Sequence, residues 1–473
     1  MYNNQQVYDL AIIGSGPGGY TAALSAAKRG ARICLIEKDE LGGVCLNQGC
    51  IPTKTIMRSA EIYDLVKKAD QFGIEVKNSF VNLQKVIRRK DDVITHLKTG
   101  LSQLIKGHGI SYIKAQAEII DKNKIRLSNN NEASPTVIEA KNIIIATGST
   151  DIIIPTCLVD HEYILDVSDI LKLNSSLPKR ATFIGGGVIG VEWACIFNNL
   201  DVEVSIIEVQ PTLLPKIDEQ ISRLLRSLMQ KKGIKIYLNS KVVNIEKDKE
   251  ITVVLENGMR LATDKVFLTI GKRPATINLE YQSLGIGVNP GGGITVNEKM
   301  ETSIEGIYAI GDVVGNWMLA HIASEQGIVA AHNALKMGIP VDMDYTAIPT
   351  CIFSSPEISF VGLTENQAKK QGHTVKIGRF NFCSLGKAFC SSELDGFVKI
   401  ISDQDTYQIL GGQIIGPKAT ELISGLTLAI KNKMKVHDVI STVHSHPTFS
   451  EVIQEAARDT YKEAVHRCYF QQG

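Results

Sequence analysis

Two cysteines five positions apart, Cys45 and Cys50, stand in the segment G-G-V-C-L-N-Q-G-C-I-P-T-K at 42–54. In a straight helix the rise alone would set them about 7.5 Å apart, beyond the comfortable span of a disulfide. A bridge therefore needs a distorted turn, and Gly42, Gly43, Gly49 and Pro52 supply the freedom to make one. Such a strained or exposed bridge is more readily reduced than a structural one. Two buried, inert thiols are the plain alternative, and Cys34, Cys157, Cys195, Cys351, Cys383, Cys390 and Cys468 are expected to fit it. No second ligand cluster stands at a useful spacing, so no zinc or other metal is expected.

Two glycine-rich turns carry the second kind of chemistry. G-S-G-P-G-G at 14–19 follows the apolar run V-Y-D-L-A-I-I at 7–13 and precedes a helical stretch from Tyr20 to Arg29 and R-I-C-L-I-E at 32–37. The unit returns as R-A-T-F-I at 180–184, G-G-G-V-I-G at 185–190, a helical stretch to about Asn199, and V-E-V-S-I-I-E at 202–208. In both copies an acidic residue lies 23 positions after the first glycine. A dinucleotide fold needs one glycine for the tight turn, one for approach to the pyrophosphate and one for helix–strand packing. The pyrophosphate then meets free N–H groups at a helix start. Gly14, Gly16, Gly19 and Glu37 fit once; Gly185, Gly187, Gly190 and Glu208 fit again. Glu208 would repel a 2′-phosphate, and V-Q-P-T-L-L-P after it offers no arginine, which favours NAD over NADP.

A disulfide accepts two electrons, a nicotinamide exchanges a hydride, and a flavin handles both. Two dinucleotide sites beside one cysteine pair thus read as FAD, NAD and a redox disulfide. Thiol–disulfide exchange needs a thiolate, so a base of near-neutral pKa would assist it. V-H-S-H-P-T-F-S-E at 443–451 holds two histidines and an acid whose carboxylate could fix a tautomer. Spacing does not decide which histidine acts, and taken alone the segment reads better as a surface loop with incidental histidines.

The elements that must position these groups fall into three stretches. Roughly 150 residues per domain makes 473 residues about three domains. Residues 54–105 are rich in helix formers, and strand-like runs end in I-I-I-A-T-G at 143–148, V-F-L-T-I-G at 266–271 and I-Y-A-I-G-D at 307–312. From about 346 apolar runs alternate with turns, then helical patterns follow at 419–435 and 450–465, which suggests α+β with an antiparallel sheet. A net charge of +1 argues against nucleic-acid binding. There is no apolar run long enough to span a bilayer and no signal-peptide pattern. A cytoplasmic protein is the resulting expectation.

The combined motifs resemble the dihydrolipoamide dehydrogenase family of flavoprotein disulfide reductases over roughly residues 6–465. They are G-x-G-P-G-G, G-G-x-C-L-N-x-G-C-I-P-T-K, A-T-G-S, G-G-G-V-I-G-x-E, I-G-x-R-P, A-I-G-D, L-A-H and H-x-H-P-T-x-S-E. The resemblance implies an α/β fold: two Rossmann-like domains, for FAD (1–150 and 277–345) and NAD (151–276), and a C-terminal α+β dimerisation domain (346–473). It implies that Cys45 exchanges with the substrate dithiol, that Cys50 contacts the flavin, and that His446 is the base, oriented by Glu451 and supplied by the partner subunit of a homodimer. Lys54 would sit near the flavin, paired with Glu192. FAD would further contact Ala117, Gly148, Asp312 and Ala320; NAD would further contact Val242 and Gly271. The substrate would be the lipoyl group of another protein, a lipoyl domain or carrier of a 2-oxoacid dehydrogenase or glycine-cleavage complex.

Several positions depart from the family pattern. Val44 and Gln48 replace a common threonine and valine inside the redox motif, Ala115 and Ala117 replace frequent glycines, Asp201 replaces a usual glycine, and Ser355 stands where histidine is frequent. None removes a catalytic group; the first two bear on disulfide potential and substrate fit. Glutathione reductase-like relatives prefer NADP, mercuric reductase-like ones use a further cysteine pair near the carboxyl terminus, and soluble transhydrogenase-like ones lack the full pair at the redox motif. A non-enzymatic redox-sensing flavoprotein would lack a base or a cysteine, and neither is missing.

Overall fold

The computed structural model describes residues 7–128, 135–173, 176–248, 250–276 and 284–467. Two compact units emerge. The first comprises residues 1–161, 165–177 and 270–344; the second comprises 162–164, 178–269 and 345–473.

In the first unit, strand Tyr8–Ile13 lies parallel to Ile33–Glu37 on one side and to Thr136–Ile145 on the other. Ser111–Lys114 extends the sheet beyond Ile33–Glu37, and Ile307–Ala309 pairs in parallel with the end of Thr136–Ile145. The central strands read as unbroken apolar runs because both faces are covered, as parallel sheets require. Helix Pro17–Ala27 packs against helix Ala320–Ala334 through small residues. A methyl group on Gly18 would lie 2.9 Å from the Ala323 carbonyl oxygen, and one on Gly327 2.5 Å from that of Gly18, so only glycine permits this approach. Helix Leu83–Gly107 starts at Asn82, whose side chain accepts from the Lys85 N–H at 3.0 Å.

The second unit repeats the arrangement. Strands Lys235–Tyr237, Glu203–Ile207, Arg180–Ile184 and Lys265–Leu268 are parallel in that order. Phe183 and Phe267 stack on each other, and Phe197 of helix Val188–Asn199 meets both edge-on, with Trp193 of the same helix packed edge-on against Phe197. Residues after 345 form a five-stranded antiparallel sheet, ordered Thr350–Ile352, Ile358–Gly362, Ile409–Ile415, Phe397–Asp403, Val375–Asn381. Helices Ala419–Lys431 and Glu451–Asp459 cover it around a core that includes Phe380, Ile400, Leu426 and Val452. The fold class is therefore α/β, with two Rossmann-like sheets and a C-terminal α+β region. No helix among the described residues is long and apolar enough to cross a membrane.

Candidate active site

Cys45 and Cys50 are bonded, with Cα atoms 4.7 Å apart. The chain achieves this by breaking its helix. Gly43–Asn47 forms one short helix, Gln48 and Gly49 leave helical geometry, and Cys50 opens the helix Cys50–Lys67. Gly42 and Gly43 both take positive φ, +95° and +62°, a region that glycine enters at little cost. Gly43 also lies flush on the first glycine turn, since a Cβ there would sit 2.7 Å from the Gly16 Cα. Lys54 stands on the first turns of the helix that Cys50 opens.

Among the other cysteines, Cys34, Cys157 and Cys195 are buried and Cys351 is half-buried, as expected for inert thiols. Burial pushes the Cys34 thiol up to about 12. Cys383 and Cys390 differ from that expectation: both are exposed. Cys383 lies on the turn Phe382–Ser384, which buries Phe382 instead, and Cys390 on the short helix Gly386–Ser391, which buries Ala388. Cys468 lies outside the described residues.

Both glycine turns have the shape their spacing predicts. Gly14 (φ +104°) and Gly185 (φ +110°) make the turns. A Cβ on Gly19 or Gly190 would overlap the carbonyl oxygen of Gly14 or Gly185. Gly16 and Gly187 stand at helix starts that no side chain caps, and a Cβ on either would meet nothing. Buried Glu37 accepts from the Ser15 N–H (2.8 Å), the Ser15 hydroxyl (2.7 Å) and the Asp39 N–H (2.9 Å). Glu208 accepts from the Gly186 N–H (2.6 Å) and the Gln210 N–H (2.8 Å). Open room before an uncapped helix, with a fixed carboxylate at the neighbouring strand end, fits a dinucleotide in each place.

The remaining predicted positions fall as follows. Ala117 is buried on strand Gln116–Asp121. Gly148 takes φ +74° just past strand Thr136–Ile145, where the Ala275 N–H donates to its carbonyl oxygen. Asp312 is half-buried, and desolvation raises its carboxyl above the ordinary range against the opposing hydroxyl of Ser149, which donates to it at 2.6 Å. Ala320 opens helix Ala320–Ala334. Glu192 is buried and accepts from the Phe353 N–H at 2.9 Å. Val242 opens the strand Val242–Lys247, and Gly271 takes φ +106°. Asp201 occupies φ +64°, so an aspartate here holds the left-handed backbone that favours glycine.

Geometry separates the two histidines. His446 Nδ1 lies 2.8 Å from Glu451 Oε1, while the Thr448 N–H donates to Glu451 Oε2 at 2.9 Å. Burial raises the Glu451 carboxyl, but bonds from His446 and the Thr448 N–H outweigh it and hold the group below the usual glutamate value. An ionised carboxylate only accepts, so Nδ1 donates to it, and the lone pair of the neutral ring then lies on Nε2. The His446 side chain is 79% exposed. His444 is instead partly buried, and that burial lowers its pKa.

Sequence reading passed over two polar contacts. Ser15 reaches both Glu37 and the Gly42 N–H, which donates to its hydroxyl at 3.2 Å. A serine inside a glycine turn was the available signal. Buried Lys399 bonds to Asp218 (3.0 Å) and Glu365 (3.2 Å), a long-range cluster with no local pattern to reveal it.

Residues 8–327 match the family model described as pyridine nucleotide-disulphide oxidoreductase, and residues 348–457 match its dimerisation domain. The chain is 39% identical to a dihydrolipoyl dehydrogenase of Chlamydia trachomatis over 96% of both chains. It is also 39% identical to a dihydrolipoyl dehydrogenase of Bacillus subtilis, over 97% of this chain and 99% of that relative. The solved structure of LpdA from Mycobacterium tuberculosis superposes with a TM-score of 0.89 at 27% identity, covering 96% of this chain and 99% of that one. A flavoprotein disulfide reductase, RclA from Escherichia coli, superposes with a TM-score of 0.84 at 27% identity, over 95% and 99%. The bonded cysteine pair, the doubled glycine turn and these matches over nearly the whole length lead to one conclusion: the chain belongs to the pyridine nucleotide-disulphide oxidoreductase family, as an oxidoreductase that uses FAD and NAD.

Proposed function

We propose that this chain oxidises the dihydrolipoyl group of a separate lipoyl domain or carrier protein to its disulfide and reduces NAD to NADH. The observation that carries the reading is the Cys45–Cys50 bond, held in a segment seated on the first dinucleotide turn. Near-full-length similarity to dihydrolipoyl dehydrogenases supports this choice of dithiol.

In this reading residues 1–150 and 277–345 form the FAD domain, 151–276 the NAD domain and 346–473 the dimerisation domain. Gly14, Gly16, Gly19 and Glu37 hold FAD with Lys54, Ala117, Gly148, Asp312 and Ala320. Gly185, Gly187, Gly190, Glu208, Val242 and Gly271 serve NAD, and Glu192 pairs with Lys54 near the flavin. Bound FAD supplies two-electron acceptance from a thiolate and hydride transfer to the nicotinamide.

The chain's own residues do the thiol chemistry. His446 of the partner subunit takes a proton at Nε2 from one lipoyl thiol. The resulting thiolate attacks Cys45 Sγ, the Cys45–Cys50 bond breaks, and Cys50 leaves as a thiolate. The second lipoyl thiol then attacks the lipoyl sulfur bonded to Cys45, its proton passing to Cys45 as that sulfur leaves, so substrate departs as a disulfide and the cysteine pair holds its two electrons. Exposure of His446 on the single chain supports its use by a second copy. Free buried thiols support a reducing compartment, the cytoplasm.

Steady-state assays test the proposal. NADH formation from dihydrolipoamide is expected, with NADP a poor substitute. Activity confined to NADPH and glutathione disulfide would overturn it.

A further inference from the structure

The two dinucleotide turns differ at one side chain. In each, a backbone N–H after the first glycine donates to the strand-end carboxylate: Ser15 to Glu37 and Gly186 to Glu208. At the second turn that is all the residue offers, because a Cβ on Gly186 would lie 2.6 Å from Leu213 and 3.1 Å from Glu208. At the first turn Ser15 is fully buried and carries a hydroxyl. Its proton goes to Glu37 at 2.7 Å, and its oxygen accepts the Gly42 N–H at 3.2 Å. Gly42 lies three residues before Cys45, and Asn47 braces the same entry by donating to the carbonyls of Leu41 (3.0 Å) and Gly43 (2.9 Å).

We propose that the Ser15 hydroxyl is a positioning group that couples the carboxylate holding the FAD ribose to the entry of the disulfide segment. This rests on the reading of the first turn as the FAD site. A hydroxyl that donates and accepts at once has one rotamer satisfying both partners, so Glu37 and Gly42 share its orientation. Displacement of the disulfide segment therefore weakens the bond to Glu37, and movement of Glu37 frees Gly42. The second turn, with Gly186, has no such link.

The test compares Ser15→Ala with the FAD-loaded wild type. FAD affinity, read from released flavin, is expected to fall roughly tenfold. Amide hydrogen exchange at Gly42–Asn47 is expected to rise five- to tenfold, by about the same factor, while Gly186–Val191 stays unchanged. Ser15→Gly, which puts the second turn's residue at the first, is expected to give the same pattern and serves should the alanine variant not fold. Lower FAD affinity with unchanged exchange at Gly42–Asn47 overturns the coupling, as does no change in either. A wild-type protein without a flavin band overturns the cofactor reading itself and is told apart by that missing band.

Discussion

Glu451 does for His446 what no spacing rule could guarantee: it accepts a hydrogen bond from Nδ1–H at 2.8 Å and is itself fixed by the Thr448 N–H. The histidine is thereby held in the tautomer whose Nε2 can accept a proton. Replacing Glu451 by glutamine keeps the shape but removes the charge that stabilises the imidazolium. Turnover with dihydrolipoamide at neutral pH is expected to drop roughly 10²-fold, with flavin content unchanged; His446→Ala is expected to lose at least as much. Stopped-flow reduction of the disulfide by dihydrolipoamide is the direct measurement. The candidate residues themselves were legible as types and intervals. Spacing alone leaves His444 and His446 level and only the family resemblance names His446, because the loop's three-dimensional path decides which ring meets the carboxylate and which is partly buried.

At the scale of elements, both Rossmann units depend on contacts where a helix start nearly touches the preceding turn. An alanine at Gly19 or Gly190 would drive its methyl into the carbonyl oxygen of Gly14 or Gly185. Neither backbone can yield without moving the strand end behind it. Gly190→Ala is therefore expected to remove NAD binding by calorimetry, more than tenfold in Kd, while the flavin spectrum persists. Gly19→Ala is expected to do the reverse and yield protein depleted of flavin. Such elements are readable because strand, turn, helix and strand are local and repeat at one interval. The break between Asn47 and Cys50 was foreseen only as a need for distortion. Its form, two helices meeting at Gln48 and Gly49, depends on where Gly42 and Gly43 seat the chain on Gly16.

The whole molecule adds two expectations. The dimerisation domain matched over residues 348–457 places this chain in a homodimer. If each site takes His446 of the partner subunit, Cys50→Ser and His446→Ala protomers are inactive alone, yet one site of each hybrid dimer is intact. Refolding an equal mixture is then expected to restore roughly a quarter of wild-type activity; no recovery would place all groups in one protomer. Stability is expected to lean on Lys399, whose side chain is 3% exposed beside Asp218 and Glu365. Lys399→Met strands a largely buried carboxylate and is expected to cost about 3 kcal/mol in denaturant titration. The pH sign follows from Glu365, which the Lys369 hydrogen bond, against burial and with help from Lys399, holds below its ordinary value. A lowered carboxyl contributes stability above its unfolded pKa of about 4.3, and that part is lost as pH falls through the folded value. The loss of stability on acidification is therefore expected to be shallower in Lys399→Met than in wild type.

Sequence alone determined the chemistry's parts: two glycine turns each 23 residues from an acid, a cysteine pair in a glycine-rich segment, and a histidine segment with its glutamate. These are local, and local backbone needs such as a positive φ or a missing Cβ restrict which residue types can serve. Tertiary structure decided how the parts are joined. It bonded Cys45 to Cys50 across a broken helix, brought His446 rather than His444 against Glu451, exposed Cys383 and Cys390 against expectation, and buried Lys399 between two distant carboxylates. It also placed Ser15 between Glu37 and Gly42. For Lys399 and Ser15 the physical reason is that a hydrogen bond or a buried charge between residues far apart in sequence leaves no periodicity behind, and forms only where packing brings the two ends within about 3 Å; for the cysteine and histidine segments it is that the path of an irregular turn is set by what the chain packs on.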